Sequence, residues 1–565
     1  MRPITKDMRR LLAVIVSLVA IACAVAPATA SAAAGGPPPD VAAPFFSLGN
    51  VDQIPPGFSI TPERAIKIAE STPRMQAIHR AHHPLRIDPV LWVRNHYEIE
   101  FFFNGKAIAD QTVGPTGKIG PFYSGPLIGA LYARGHYGDI FDSPWVLASF
   151  TFMFLLPLAL LRGRAWMDRV DLAMLLSFGV SYALFDTAHL EPAVWLFYPS
   201  LIYLLVRMLM RGMRARRPAS RLDCRLPTAV LVVGLGLLVA ARIVINLHPL
   251  SVLDVATASV LGAYKILHGH SIYYFSLGHG DTYGPLNYLA YVPFEAIWPG
   301  NWFYLPAARA AAITFDVLTI AGLIVLGVRL RVGRDGFRLG LLLAWLWAAC
   351  PFSLLGIEKS TNDGLTALIV VLIMLVLSSP IKRGVLVGVG AASKFFPVVL
   401  LPLVAVGHGD ADQQTIRKVL AGFVITVGAT IAVFMPSGGL VEMWDHTIGF
   451  QLTRTDVFSI WALHPTLAPL KDAVEAFAVI LAVVVAFRPR GRRTTAQVAA
   501  LGATVVIAVQ LTAIHWFYLY IVWFLPLVLV AVLGDAPDRA VLDAVERDAD
   551  SLEAGDPPPV LAGAA

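Results

Sequence analysis

The stretch SVLDVATASVLGAYKILHGHSIYY, residues 251–274, follows the apolar run LPTAVLVVGLGLLVAARIVIN (226–246), and its reading decides the fold. The run is long enough to cross a bilayer, which takes about 20 apolar residues. The stretch after it reads neither as a second span nor as an ordinary loop. Asp254 stands alone near its start, and Tyr and His residues gather at its end. Val255, Ser259, Gly262 and Ile266 set against Ala258, Leu261, Lys265 and His268 fit an amphipathic helix lying on the membrane surface. A carboxylate at that depth, with one apolar and one polar wall, can serve as a general base for a hydroxyl, because desolvation raises its pKa. The competing reading is a helix N-cap.

The remainder of the chain agrees with a membrane setting. Its 565 residues are 57% hydrophobic and only 15% charged, with mean hydropathy +0.67, which excludes an ordinary soluble enzyme. Apolar runs are expected to span at about 145–161, 170–188, 192–210, 227–247, 306–330, 337–355, 363–380, 418–436, 473–488, 495–513 and 516–534. The net charge of +6 comes from short basic loops between these runs, such as RGRAWMDR, RLRVGRDGFR and RPRGRR. That is the cytoplasmic signature of a membrane protein, and no nucleic-acid partner is implied. Cys23, Cys224 and Cys350 make neither a disulfide framework nor a metal motif.

Two segments do not fit simple spans. GPLNYLAYVPFEAIW (284–298) must dip into the membrane or pair with another short helix. GVLVGVGAASKFFPVVLLPLVAV (384–406) must break between Lys394 and Pro397. Broken helices at membrane depth are tolerated only where protein or a wet cavity surrounds them, so the break points to a site. With the mature N-terminus outside, Asp254, Asn362, Asp363, Lys394, Arg454, His464 and His515 share the outer face.

The flanks are different in kind. Residues 1–32 read as a secretory leader, with an uncleaved anchor as the alternative. Residues 33–142 read as a small α+β extracytoplasmic domain. SITPERAIKIAESTP (59–73) has a helix start, and YEIEFFFNGKAIADQTVGPTGKIG (97–120) has two strand-like runs turning at Asn104-Gly105, with a second turn at Thr116-Gly117. A helix followed by a hairpin ending in TGKI resembles a PepSY-type module over residues 59–120. Residues 143–226 add further spans and a basic cytoplasmic loop, and 227–535 form the main transmembrane core. The acidic, Pro- and Ala-rich segment 536–565 reads as a disordered cytoplasmic tail.

Asp254, Tyr264, Gly269 and Tyr273 or Tyr274, followed by TYGPLNYLAYVPFEAIWP (282–299), STNDGL (360–365), SKFFPVVLLP (393–402), GFQLTRTDVFSIW (449–461) and HWFYLYIVWFLP (515–526), resemble in order and topology glycosyltransferase family 87. The likeness runs over roughly 227–535, and the chain carries Tyr283-Gly284-Pro285 where the family often has Tyr-Pro-Pro. The resemblance implies an all-α polytopic protein of the C-type glycosyltransferase fold, with about 11–13 transmembrane helices. It implies transfer of a sugar from a polyprenyl-phosphate donor to a glycolipid or polysaccharide hydroxyl on the extracytoplasmic side of the cell membrane. Mannose is the expected sugar, by likeness to mannosyltransferases of phosphatidylinositol mannoside synthesis, and arabinose is the alternative.

A lipid-linked sugar phosphate is already activated, so no nucleotide site is expected. His268, His270 and His279 flank the same loop as Asp254 and Asp281, but their spacing makes no recognised ligand pattern, so no metal or cofactor is expected. The chemistry needs a base and groups that stabilise the departing phosphate. Asp254 is the expected base, and the resemblance places His515 near it. Lys394, in an apolar run where an ammonium is costly, and Arg454 are the expected phosphate ligands. Snorkelling of Lys394 and a loop salt bridge of Arg454 with Asp456 are the competing readings. Tyr264, Tyr273, Tyr283, Asn362, Asp363 and Gln451 are candidates for sugar or acceptor binding, against loop packing for the tyrosines and helix capping for Asn362-Asp363. Two other readings remain open at this point: a transporter or lipid flippase, although no internal repeat is evident, and a sensor or scaffold anchored by its spans.

Overall fold

The computed structural model describes residues 46–47, 54, 58–92, 96–103, 106–125, 128, 140–162, 166–186, 189–214, 223–248, 252–273, 281–299, 304–409, 412–453 and 458–534. The leader, the Asn104-Gly105 turn, Tyr274, Arg454, Asp456 and the C-terminal tail lie outside them.

The N-terminal module is a five-stranded antiparallel sheet in the order β1-β2-β3-β4-β5: β1 Phe46–Ser47, β2 Arg86–Trp92, β3 His96–Phe103, β4 Lys106–Val113 and β5 Ile119–Ser124. Two helices, Pro62–Glu70 and Pro73–Ala81, are each opened by a threonine, Thr61 or Thr72, whose hydroxyl accepts a backbone N–H of the first turn. Ala65, Ala69 and Met75 of these helices pack with Tyr97, Ile99, Phe101, Ala109 and Val113 of β3 and β4. The second helix and β2 go beyond the single helix and hairpin expected. RIDPVLW carries Pro89, which argues against a strand, yet Pro89 registers opposite Ile99 in the sheet.

Each expected apolar run coincides with helical structure. Among the described residues, four helices are long and apolar enough to span a membrane by themselves, and five if one bent pair counts as a span; several others have only 10–17 residues. The bent pair falls on the expected span 337–355: helix Gly333–Ala349 meets Pro351–Glu358 at 63°. Pro351 cannot continue the helix hydrogen-bond ladder, and the carbonyls it releases find other donors. Arg242 Nη1 donates to Ala348 O (2.9 Å), and Ser353 Oγ donates to Trp347 O (2.5 Å).

Arg242 itself is fully buried. Its Nη2 and Nε donate to the two oxygens of Asp316 (2.6 and 3.0 Å), and Trp347 Nε1 donates to the same carboxylate (2.8 Å). Charge in a bundle core is tolerated only when paired and hydrogen-bonded in this way. At another place in the bundle, Asp171 on helix Trp166–Asp186 is held by Arg207, Arg211 and Tyr203 of helix Leu190–Met213.

Candidate active site

Helix Pro380–Lys394 stops where the sequence demands it. Pro397 cannot join a continuing helix, Phe395 turns into the left-handed half of backbone space (φ 55°), and a 3-10 turn Phe396–Leu400 leads into helix Leu401–Val406. Gly384 lets the helix approach its neighbour Gln413–Phe434 closely, since a Cβ there would lie 2.0 Å from Val419 O.

Lys394 therefore sits at the end of a helix stump inside the protein, and it does not snorkel. Its side chain is 10% exposed. Nζ donates to Asn362 Oδ1 (2.7 Å) and Asp363 Oδ1 (2.6 Å), and Trp523 Nε1 donates to the same Asp363 oxygen (2.7 Å). The ammonium also lies 5.5 Å from the Tyr283 ring centre and 5.4 Å from that of Trp523. Asn362 and Asp363 open helix Asp363–Leu375, but Asn362 makes no side-chain cap. Both side chains face the lysine instead of capping the helix.

The segment Lys359–Asp363 is buried throughout and is tied to the Asp254 helix. Leu253 N donates to Lys359 O (3.1 Å), which fixes the start of helix Asp254–Leu267 on that segment. Farther along this helix, Ser259 Oγ accepts from Asn287 Nδ2 (2.9 Å) and from Asn362 Nδ2 (3.4 Å). Asp254 lies in the first turn, half-buried, with Oδ1 accepting from Val255 N (2.7 Å). The helix carrying the expected base and the network around the expected phosphate ligand are thus joined through Ser259 and Asn362.

Tyr283 is half-buried and presents its ring to Lys394. Its backbone is held from both sides: Tyr288 Oη accepts from Tyr283 N (3.0 Å), and Tyr273 Oη donates to Tyr283 O (2.9 Å). Tyr273 is fully buried, and its hydroxyl supports the Tyr283 turn, in keeping with the loop-packing alternative. Tyr264 lies toward the other end of the Asp254 helix, stacked on His268 at 3.9 Å. Gln451 is on the short helix Phe450–Thr453. Half-buried His515 packs edge-on against Phe458 (4.9 Å) and near Tyr520 (6.1 Å), and Tyr520 stacks on Trp523 (4.2 Å). Two ring contacts therefore lead from His515 to the indole that binds Asp363.

Ser259, Asn287 and Trp523 are network members that the sequence reading missed. Asn287 lies within TYGPLNYLAY and Trp523 within HWFYLYIVW, where neither carries a local signal that sets it apart from its neighbours.

A helical, multi-pass membrane protein whose charged and amide side chains converge at a broken helix is built as an intramembrane enzyme or carrier. Residues 282–534 match the model of glycosyltransferase family 87. This segment holds Lys394, Asn362, Asp363, Tyr283, Trp523 and His515, so the likeness to a membrane glycosyltransferase family covers the network around the broken helix. The match begins at Thr282, so the helix that starts with Asp254 precedes it. No curated protein matches the chain.

Proposed function

We propose that the protein transfers a sugar, mannose in the first instance, from a polyprenyl-phosphate donor to a hydroxyl of a glycolipid or cell-envelope glycan at the extracytoplasmic face. The observation that carries this reading is the Lys394 ammonium at a helix break, shared between Asn362 and Asp363 and joined through Ser259 to the Asp254 helix. A donor that brings its own leaving phosphate needs a cation already in place and a base for the incoming hydroxyl.

In the proposed reaction the Asp254 carboxylate takes the acceptor O–H proton while that oxygen bonds to the anomeric carbon. The bond from that carbon to the phosphate oxygen breaks, the electron pair leaves with the polyprenyl phosphate, and the sugar inverts. Lys394 is the partner of the departing phosphate. Asp363 already pairs with this ammonium, so the phosphate has to share it, which suits transient binding of a leaving group. Arg454 is the second phosphate ligand, and the Tyr283 ring flanks the sugar. His515, linked to Lys394 through Tyr520 and Trp523, supports the same site. The short basic loops favour a cytoplasmic face opposite the site, which supports an extracytoplasmic position for it and for residues 33–142.

The test is transfer from radiolabelled polyprenyl-phosphate mannose in membranes, wild type against Asp254→Asn at matched protein levels. Transfer lost in the variant is expected. Full transfer by Asp254→Asn would remove Asp254 as the base, and transfer only from an arabinose-charged lipid would change the sugar.

A further inference from the structure

A carboxylate–imidazole pair stands beside this site. Asp281 is buried at 3% side-chain exposure, and its Oδ2 lies 2.8 Å from Nδ1 of His446, whose side chain is 25% exposed. The two residues come from distant parts of the chain. Asp281 lies just ahead of helix Pro285–Ile297, and His446 is in a π-helical turn, Asp445–Gly449, between helices Gly439–Trp444 and Phe450–Thr453. A π turn inserts a residue into a helix and re-aims the side chains around it, and such turns recur at functional sites.

The pair is coupled to the Lys394 network by one short run of chain. Asp281 and Tyr283 are separated only by Thr282; one meets His446 and the other lays its ring toward Lys394. Tyr273 braces both, with its hydroxyl on Tyr283 O and its ring centre 6.1 Å from that of His446. Lys265 Nζ donates to Ile272 O (2.9 Å) and feels the Asp281 charge. Ile272, Tyr273, Tyr288 and Met443 close an apolar cluster around this corner.

A buried carboxylate needs a partner, but lysine or arginine would meet that need as well as histidine. Histidine adds a second nitrogen. With the carboxylate against Nδ1, the proton is favoured there, and Nε2 is left as the nitrogen for another group. Sugar hydroxyls both donate and accept, so they suit Nε2 in either protonation state.

We infer that His446 binds a hydroxyl of the sugar acceptor through Nε2, with Asp281 as its positioning residue, so that the pair forms the acceptor wall beside the Lys394 wall; the inference rests on the transferase reading above. It assigns the two substrates to two arms of one turn: the donor phosphate on the Tyr283 side and the acceptor on the Asp281 side.

The test is steady-state transfer by the full-length protein in lipid nanodiscs, with polyprenyl-phosphate mannose as donor and an alkyl mannoside as acceptor probe. His446→Ala and Asp281→Asn are expected to raise KM for the mannoside about tenfold, the loss of roughly one hydrogen bond, while KM for the donor stays put. His446→Gln, which keeps a hydrogen-bonding group, should recover most of the loss. An unchanged mannoside KM in both His446→Ala and Asp281→Asn overturns the acceptor assignment and leaves the transferase reading standing. A rise in both KM values together with a lower unfolding temperature, in His446→Gln as well, marks a purely structural pair and overturns it too. Wild-type protein that moves no sugar from mannose- or arabinose-charged lipid overturns both readings.

Discussion

Lys394 Nζ stands 2.6 Å from Asp363 Oδ1, and Trp523 Nε1 stands 2.7 Å from that same oxygen. One carboxylate oxygen thus receives an ammonium and an indole N–H, with the lysine side chain 10% and the aspartate side chain 2% exposed. Removing one member of a buried pair strands the other charge, at a cost of about 3–5 kcal/mol, whereas replacing both with apolar groups is often neutral. Lys394→Ala is therefore expected to lower the unfolding temperature in detergent sharply. Lys394→Met combined with Asp363→Leu should restore most of the stability and none of the transfer. Recovery of transfer by the double variant would show that the ion pair serves the fold alone.

The Trp523 contact separates into two parts. Trp523→Phe removes the N–H donated to Asp363 but keeps a ring against Lys394. The lost hydrogen bond to a charged group is worth about 1.5–3 kcal/mol. Transfer should fall by about tenfold or more, and Trp523→Ala should fall further because the stack with Tyr520 and Phe396 goes too. Equal activity in Trp523→Phe and wild type, measured by initial rates, would remove the indole N–H from the account.

How far these features were legible in the sequence depends on how local their cause is. The spans were legible because crossing a bilayer takes a continuous apolar length, and the break at Lys394 was legible because Pro397 and a lysine interrupt such a run. The partners of Lys394 were not. Asn362-Asp363 before an apolar helix has the composition of a cap, and only the packing of helix Asp363–Leu375 beside the helix stump turns both side chains onto the ammonium. Arg242–Asp316 was hidden for a related reason: the two charges lie in different spans, and pairing them takes the relative rotation of two helices. In the N-terminal module, β2 carries Pro89, a residue that weakens a strand signal, and only its pairing with β3 makes it a strand.

Gly284 is where the Tyr283 turn touches the Lys394 helix. Its N–H donates to Ser393 O (3.0 Å), and a Cβ there would lie 2.1 Å from Ala392 O. The obstacle is backbone and cannot swing away, so Gly284→Ala must push the turn off the helix. The expected result is loss of most transfer, with the Lys394–Asp363 pair intact and an unfolding temperature lowered by only a few degrees. Wild-type activity in Gly284→Ala would show that the position of Tyr283 over Lys394 does not matter to the reaction.

The N-terminal module carries its own electrostatic strain. Glu98, Glu100 and Asp110 are all buried on neighbouring strands, and Glu100 registers directly opposite Asp110. Burial, reinforced by Glu98 and Glu100, pushes the Asp110 carboxyl well above its ordinary range, and burial with Glu100 does the same to Glu98. Between the ordinary and the raised pKa the folded state holds protons that the unfolded state has released, so stability falls as pH rises through that window. Above it the whole loss is in place, at about 1.4 kcal/mol for each unit of displacement. His96, lowered to about 4 by burial, acts in the opposite sense: the unfolded state takes up its proton below about 6.5, and stability falls as pH drops toward 4. Asp110→Asn removes one charge penalty and leaves the histidine alone. It should slow hydrogen exchange of the β3 and β4 amides in the full-length protein at pH 7.5, with the gap to wild type closing below about pH 4, where Asp110 is protonated in both states. Faster exchange in Asp110→Asn at pH 7.5 would mean that the ionised carboxylate stabilises the sheet.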